Sequence, residues 1–341
     1  MRLLLCAGLS LLLNAVLSAQ SIVSGPTLDP AMDSDHDGLT DVTENQLLRQ
    51  FTPQFMISRD DCSKRPAQFA AFQSTPIVEA DDGTIYGQAF PYPESPDHPI
   101  RPDHLHLARP DQVELHYYHL WRRDCGEIGH DLDAEHVSVL LGRDQDGEHK
   151  DHWKALYWYA AAHEDTVCDT SQITRANILN AESSGPKIWI SRGKHASFLN
   201  ETICTHGCGG DSCSAMEPLL IPAVINIGEL SAPMNGALWT DARAWPLAAK
   251  LTRSDFAPSR TARADRLPAT DIAWANPERR PVQAAILGTN DGIGGASTGL
   301  RSTGDALGAA NSGAGNALSK TFRSLGKALR KTVQKTADAI E

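Results

Sequence analysis

Residues 33–44 read Asp33-Ser34-Asp35-His36-Asp37-Gly38-Leu39-Thr40-Asp41-Val42-Thr43-Glu44, with carboxylates at the first, third, fifth, ninth and twelfth positions and glycine at the sixth. Calcium takes about six to eight oxygen ligands in a flexible shell, so this spacing around a sharp glycine turn suits it. Asp33, Asp35, Asp37, Asp41 and Glu44 are the expected side-chain ligands, and Leu39 supplies the expected backbone carbonyl. An acidic linker is the bland alternative. No helical pattern precedes the loop, so it reads as an isolated calcium loop that stiffens the N-terminal segment, with nothing to suggest a switch.

A second concentration of chemistry runs from Asp124 to Val137. If a strand begins near Glu135, Asp133 and Glu135 continue the face that carries Val137, Val139 and Leu141. Carboxylates on a core-directed face cost several kcal/mol unless their charge is compensated. Arg122 and Arg123 could supply a salt bridge; a divalent cation, with His130 close by, is the other solution. Two further histidines, His163 and His195, end aromatic-rich segments and could converge on the same edge, although each alone reads as a structural histidine. The oxygen-rich set favours calcium or magnesium, while the histidines lean towards zinc.

These residues need an exported, folded scaffold. The chain opens Met1-Arg2, runs through an apolar stretch from Leu3 to Leu13 and reaches Ser18-Ala19, the pattern of a secretory signal peptide. Cys6 leaves with that segment, and Cys62, Cys125, Cys168, Cys204, Cys208 and Cys213 remain. An even set in an exported chain reads as disulfides, with about fifteen pairings that sequence does not resolve. Cys204, His206, Cys208 and Cys213 also admit a zinc-knuckle reading, which export weakens. A formal charge of −11 argues against a nucleic-acid binder.

Alternating runs predict the strands. Val113, Leu115, Tyr117 and His119 share one face, opposite Glu114, His116 and Tyr118. Further strands are expected at 83–87, 137–141, 153–162, 187–191 and 223–227. Short strands with turns between them predict a mostly β fold, an antiparallel β-sandwich over residues 47–275. The expected order is a signal peptide at 1–19, the calcium-loop segment at 20–46, the sandwich, a low-complexity linker at 276–317 and a basic amphipathic helix at 318–341. Leu318, Phe322, Leu325, Leu329 and Val333 form the apolar face of that helix. It suits docking on an anionic membrane, on a protein partner or on its own domain.

The pattern Gly129-His130-x-x-Asp133-x-Glu135-His136-Val137 resembles the Gly-His-Arg-His-Asp-Trp-Glu-His-Val region of necrosis-inducing, NPP1-type secreted proteins. Phe51-Thr52-Pro53-Gln54-Phe55, Cys62, Pro66-Ala67, Ala162-His163 and Gly193-Lys194-His195-Ala196 are similar to other patches of that family. The Vps62-like group shares the same skeleton. The resemblance covers residues 47–215 in patches. It implies a divalent cation on a β-sandwich at His130, Asp133 and Glu135, with Asp124 as a fourth ligand, and engagement of membrane glycolipids. Asp131 and Leu132 replace the family's Arg-His pair and Ala134 replaces its tryptophan, which puts lytic activity in doubt.

No phosphate loop and no His-Glu-x-x-His motif is present. Three classes remain: a secreted cation-binding protein that engages a membrane, glycan or lipid surface; a metal-dependent hydrolase using His130, Asp133 and Glu135; and a calcium-stabilised envelope protein whose charged groups are structural.

Overall fold

The computed structural model describes residues 32–35, 37–73, 75–92, 111–126, 129–143, 152–166, 168–205, 210–229, 232–233, 247, 250–251, 254–268 and 271–277. The expected signal peptide, all but the first two residues of the expected 276–317 linker, and the expected basic terminal helix lie outside them.

Helix α1 (Asp41–Gln50) is followed by strands β1 (Gln54–Ser58), β2 (Gln68–Phe69), β3 (Val78–Ala80), β4 (Ile85–Pro91), β5 (Gln112–Arg123) and β6 (Asp131–Arg143). Next come β7 (Trp153–Ala160), β8 (Gln172–Arg175), β9 (Lys187–Ile190), β10 (Ser197–Phe198) and the short helix α2 (Glu201–Thr205). Strands β11 (Met216–Pro218), β12 (Val224–Asn226), β13 (Gly228–Glu229) and β14 (Ala232–Pro233), helix α3 (Pro258–Arg266) and β15 (Ala273–Trp274) complete the described elements.

The mostly β architecture expected from alternation is present. One sheet has seven strands in the order β12-β4-β5-β6-β7-β8-β15, and a second has four in the order β10-β9-β1-β11. Pairing is antiparallel throughout these two sheets except for β12 with β4 and β1 with β9. Val113, Leu115 and Tyr117 of β5 and Val137, Val139 and Leu141 of β6 share one apolar core with Phe55, Ile57, Ile188, Ile190 and Phe198 from the smaller sheet. Alternation on β5 therefore marks its core face correctly.

The opposite face is covered too. Glu114, His116 and Tyr118 are fully buried, and apolar clusters containing Leu247, Leu251, Phe256 and Ala264 lie on that side. Several of the polar groups there bond to one another. Glu114 accepts from Ser254 Oγ (2.6 Å) and from the Asp255 backbone N–H (2.8 Å), and its other contact is His116 Nε2 at 2.7 Å. Asp255 accepts from Ser138 Oγ at 2.5 Å and faces His136 Nε2 at 3.0 Å.

Helix α1 begins at Thr40, whose hydroxyl accepts from the Thr43 N–H as an N-cap. Its buried Leu48 lies against β4 where the chain has Gly87: a Cβ there would come within 2.8 Å of Leu48 Cδ2. Tyr117 Oη donates to the Leu48 carbonyl at 3.0 Å. The helix after the calcium-type loop is thus packed on the large sheet.

Disulfides join Cys62 to Cys125 and Cys204 to Cys213. Cys168 is also disulfide-bonded, and its partner lies outside the described residues. Cys204 and Cys213 therefore offer no thiolate to a zinc knuckle.

Candidate functional site

The loop before α1 folds its carboxylates inward. Gly38 has φ +92°, a left-handed conformation that suits glycine, and its N–H donates to Asp33 Oδ2 at 3.1 Å. The Leu39 N–H donates to Asp37 Oδ1 at 2.6 Å, and the buried Leu39 side chain anchors the turn in the main core. One oxygen from each of Asp33, Asp35 and Asp37 lies within 4.8 Å of the other two. Asp41 has both oxygens engaged, by the Ser34 N–H (2.8 Å) and hydroxyl (2.7 Å). That suits a ninth-position ligand acting through water. Glu44 Oε2 accepts from Asn226 Nδ2 at 2.8 Å, which ties the loop's last carboxylate to β12.

Asp35 and Asp37 are only 2 % and 6 % exposed. Both oxygens of Asp35 and Oδ2 of Asp37 are buried with no hydrogen-bond partner. Burial, reinforced by Asp33, pushes the Asp35 carboxyl up to about 7. Burial, reinforced by Asp35, pushes Asp37 up to about 8. Holding these groups charged costs several kcal/mol unless a cation sits among them. The donor set is all oxygen, so calcium fits it.

The second predicted set is arranged differently. Asp133 and Glu135 lie near the start of β6, opposite Trp121 and His119 of β5. Arg122 instead pairs with Asp81 at 3.1 Å, and it and Arg123 face solvent; the salt bridges come from elsewhere. His195 Nδ1 is 3.2 Å from Asp133 Oδ2, and its Nε2 is 3.4 Å from Asp61 Oδ1. Its ring stacks on Trp121 with centroids 3.9 Å apart. Burial pulls the His195 imidazole down, but its bonds to Asp133 and Asp61 outweigh this and push it up to about 9. The ring is thus held between two carboxylates and an indole face.

Lys250 Nζ lies 3.2 Å from Glu135 Oε2. Burial pushes the Glu135 carboxyl up, against the opposing field of Lys250. Around Lys250, burial is outweighed by Glu135, Glu164 and Asp133, so the ammonium is held charged. Asp124 and His130 sit at the tip of the β5–β6 hairpin. Asp124 Oδ1 accepts from the Gly126 N–H at 2.5 Å, and its Oδ2 is 3.9 Å from the Nε2 of His130, whose side chain is 54 % exposed. His163 Nε2 bonds Asp211 at 2.8 Å, and Asp211 also accepts from Ser191 Oγ. Among the described residues, no group of three ligand atoms within 4.8 Å of one another contains Asp124, His130, Asp133 or Glu135. The structure therefore brings Asp133 to His195, Glu135 to Lys250 and His163 to Asp211.

Two other groups have metal-ligand spacing. In Asp61–Cys62–His195 the sulfur is in a disulfide. His116–His136–Asp255 is fully buried on the far face of the large sheet. Sequence reasoning singled out none of Asp61, Asp211, Lys250 and Asp255, because each meets its partner only through the tertiary fold.

No family model and no curated protein matches the chain. Among solved structures, it is similar to a mutant form of NLPPya, at 14 % identity over 64 % of this chain and 82 % of that one, with a TM-score of 0.35. NLPPya in complex with glucosamine matches at 14 % identity over 65 % of this chain and 84 % of that chain, TM-score 0.34. Necrosis and ethylene inducing protein 2, from the causal agent of cocoa's witches' broom disease, matches at 16 % identity over 64 % and 86 %, TM-score 0.33. The likeness is remote, and it is to the same necrosis-inducing group that Gly129–Val137 resembles.

Proposed function

We propose that this is an exported cation-binding β-sandwich protein that holds one calcium ion in the Asp33–Glu44 loop and engages a membrane, glycan or lipid surface. The observation that carries the cation reading is the burial of Asp35 and Asp37 with three oxygens left without partners. A folded protein retains such groups where a cation completes them. Export is supported by the disulfides, which persist in oxidising compartments. For surface engagement, the support is the resemblance at residues 129–137 together with the exposed, polar hairpin end that bears Arg122, Arg123, His130 and Asp131.

Titration calorimetry tests the cation site. The wild type takes up one calcium in the loop, and the Asp33→Ala, Asp35→Ala double variant loses it; unchanged stoichiometry sinks the assignment. Flotation with glycolipid-containing and plain vesicles, each with and without chelator, tests the surface. Binding to neither vesicle removes that half of the proposal and leaves the calcium site standing.

A further inference from the structure

The resemblance implies a divalent ion at Asp133 and Glu135, yet both carboxylates already face a cation belonging to the chain. We propose that the ammonium of Lys250 is the built-in counter-ion of this acidic pair, replacing a divalent metal at the end of the sandwich. This goes beyond the calcium loop and does not depend on it.

Three observations converge. The first is charge. Asp133 faces His195 at 3.2 Å, a ring that also faces Asp61 at 3.4 Å, and Glu135 faces Lys250 at 3.2 Å, so each acid of the pair already has a basic side chain against it. The remaining ring on this face, His119, is bonded to Ser197 Oγ and to Trp121 Nε1. Burial and the field of His195 keep it neutral, so it adds no charge. A divalent ion at the pair would have to displace the Lys250 ammonium from Glu135 and would meet that like charge close by, where solvent screens poorly.

Anchoring is the second. The Lys250 N–H donates to the Leu247 carbonyl at 2.8 Å, and the Leu251 N–H reaches the same carbonyl at 3.1 Å. Leu247 and Leu251 are buried in the apolar cluster that also holds Leu120 and Ala134. The lysine thus stands on a turn fixed to the sheet.

The third is sequence. Ala134 occupies the position where the resembled motif has tryptophan. Its small side chain shares a packed cluster with the two leucines that flank Lys250. The departure at 134 and the lysine at 250 are then two parts of one substitution, in which a side chain from a distant segment does what an ion does elsewhere.

The test counts bound ions in the full chain carrying Asp33→Ala and Asp35→Ala, which silences the calcium loop. With Lys250 present, calcium, magnesium and manganese each show no tight site. Adding Lys250→Met creates one site, and its thermal midpoint falls by several degrees in chelator and recovers on adding the ion. The Lys250→Met, Glu135→Gln pair, with the charge removed from both sides, melts near the parent without metal and binds no ion. A divalent ion bound while Lys250 is intact and lost on Glu135→Gln overturns the proposal. So does a Lys250→Met protein that neither binds an ion nor responds to chelator. If Lys250→Met alone fails to fold, recovery of the folded state in the double variant supports the pairing, and its absence contradicts it.

Discussion

Both oxygens of Asp35 and one of Asp37 are buried without hydrogen-bond partners, whereas the carboxylates of Asp133, Glu135 and Asp255 each face a cationic or donor group. The contrast sets the loop proposed to hold an ion apart from acids that meet groups of the chain itself. His195 is one such group and gives a pH signature. Its folded value of about 9 lies above the ordinary 6.5. Stability from the Asp61–His195–Asp133 contact is therefore fully present below about pH 6.5 and is lost as pH rises through about 9. The gap is worth on the order of 3 kcal/mol. Urea unfolding from pH 6 to 9.5 should show this decline in the wild type, and a flatter profile at lower stability in His195→Asn, where asparagine tolerates the left-handed backbone. The gathering of Asp33, Asp35 and Asp37 was legible in sequence because they lie within one twelve-residue loop, where spacing encodes the geometry. Lys250 was not, because it reaches Glu135 across 115 residues and nothing local marks it as charged, buried and paired.

At the level of elements, α1 joins the loop to the sheet. Glu44 is both the loop's last carboxylate and the acceptor for Asn226 of β12, while Leu48 sits over Gly87 of β4. Removing the Asn226 amide frees Glu44 to reorient. Asn226→Ala should weaken calcium binding about tenfold, as loss of a group that orients a metal ligand does; calorimetry at matched pH checks this, and an unchanged affinity separates the loop from the sheet. Strand periodicity placed the core face of β5 and β6 correctly. It did not show that Glu114, His116 and Tyr118 are buried as well. Alternation between apolar and polar residues ordinarily reads as one wet face, and here that face is covered by residues 254–256, whose hydrogen bonds replace water.

Across the whole molecule, the Cys62–Cys125 disulfide closes a separation of 63 residues and fixes the hairpin end. Next to it, Asp61 Oδ2 accepts from the Gly193 N–H at 2.9 Å, and the Cys125 N–H donates to the Gly193 carbonyl at 2.6 Å. The bridge thus holds together the loops that carry Asp61 and His195. Replacing both cysteines by serine should lower stability by about 4 kcal/mol on chain-entropy grounds, measured by denaturant unfolding, and should also reduce the pH dependence attributed to His195. Sequence supplied the number of cysteines but not this pairing, because partners are set by where loops meet.

The central claim is that the Asp33–Glu44 loop is a calcium site. Anomalous scattering from crystals grown with calcium tests it most directly. The account predicts one strong peak among the carboxylates of Asp33, Asp35, Asp37 and Glu44 and the carbonyl of Leu39, with no peak between Asp133 and Glu135. An empty loop in the presence of millimolar calcium, or a peak beside Glu135 instead, would contradict it.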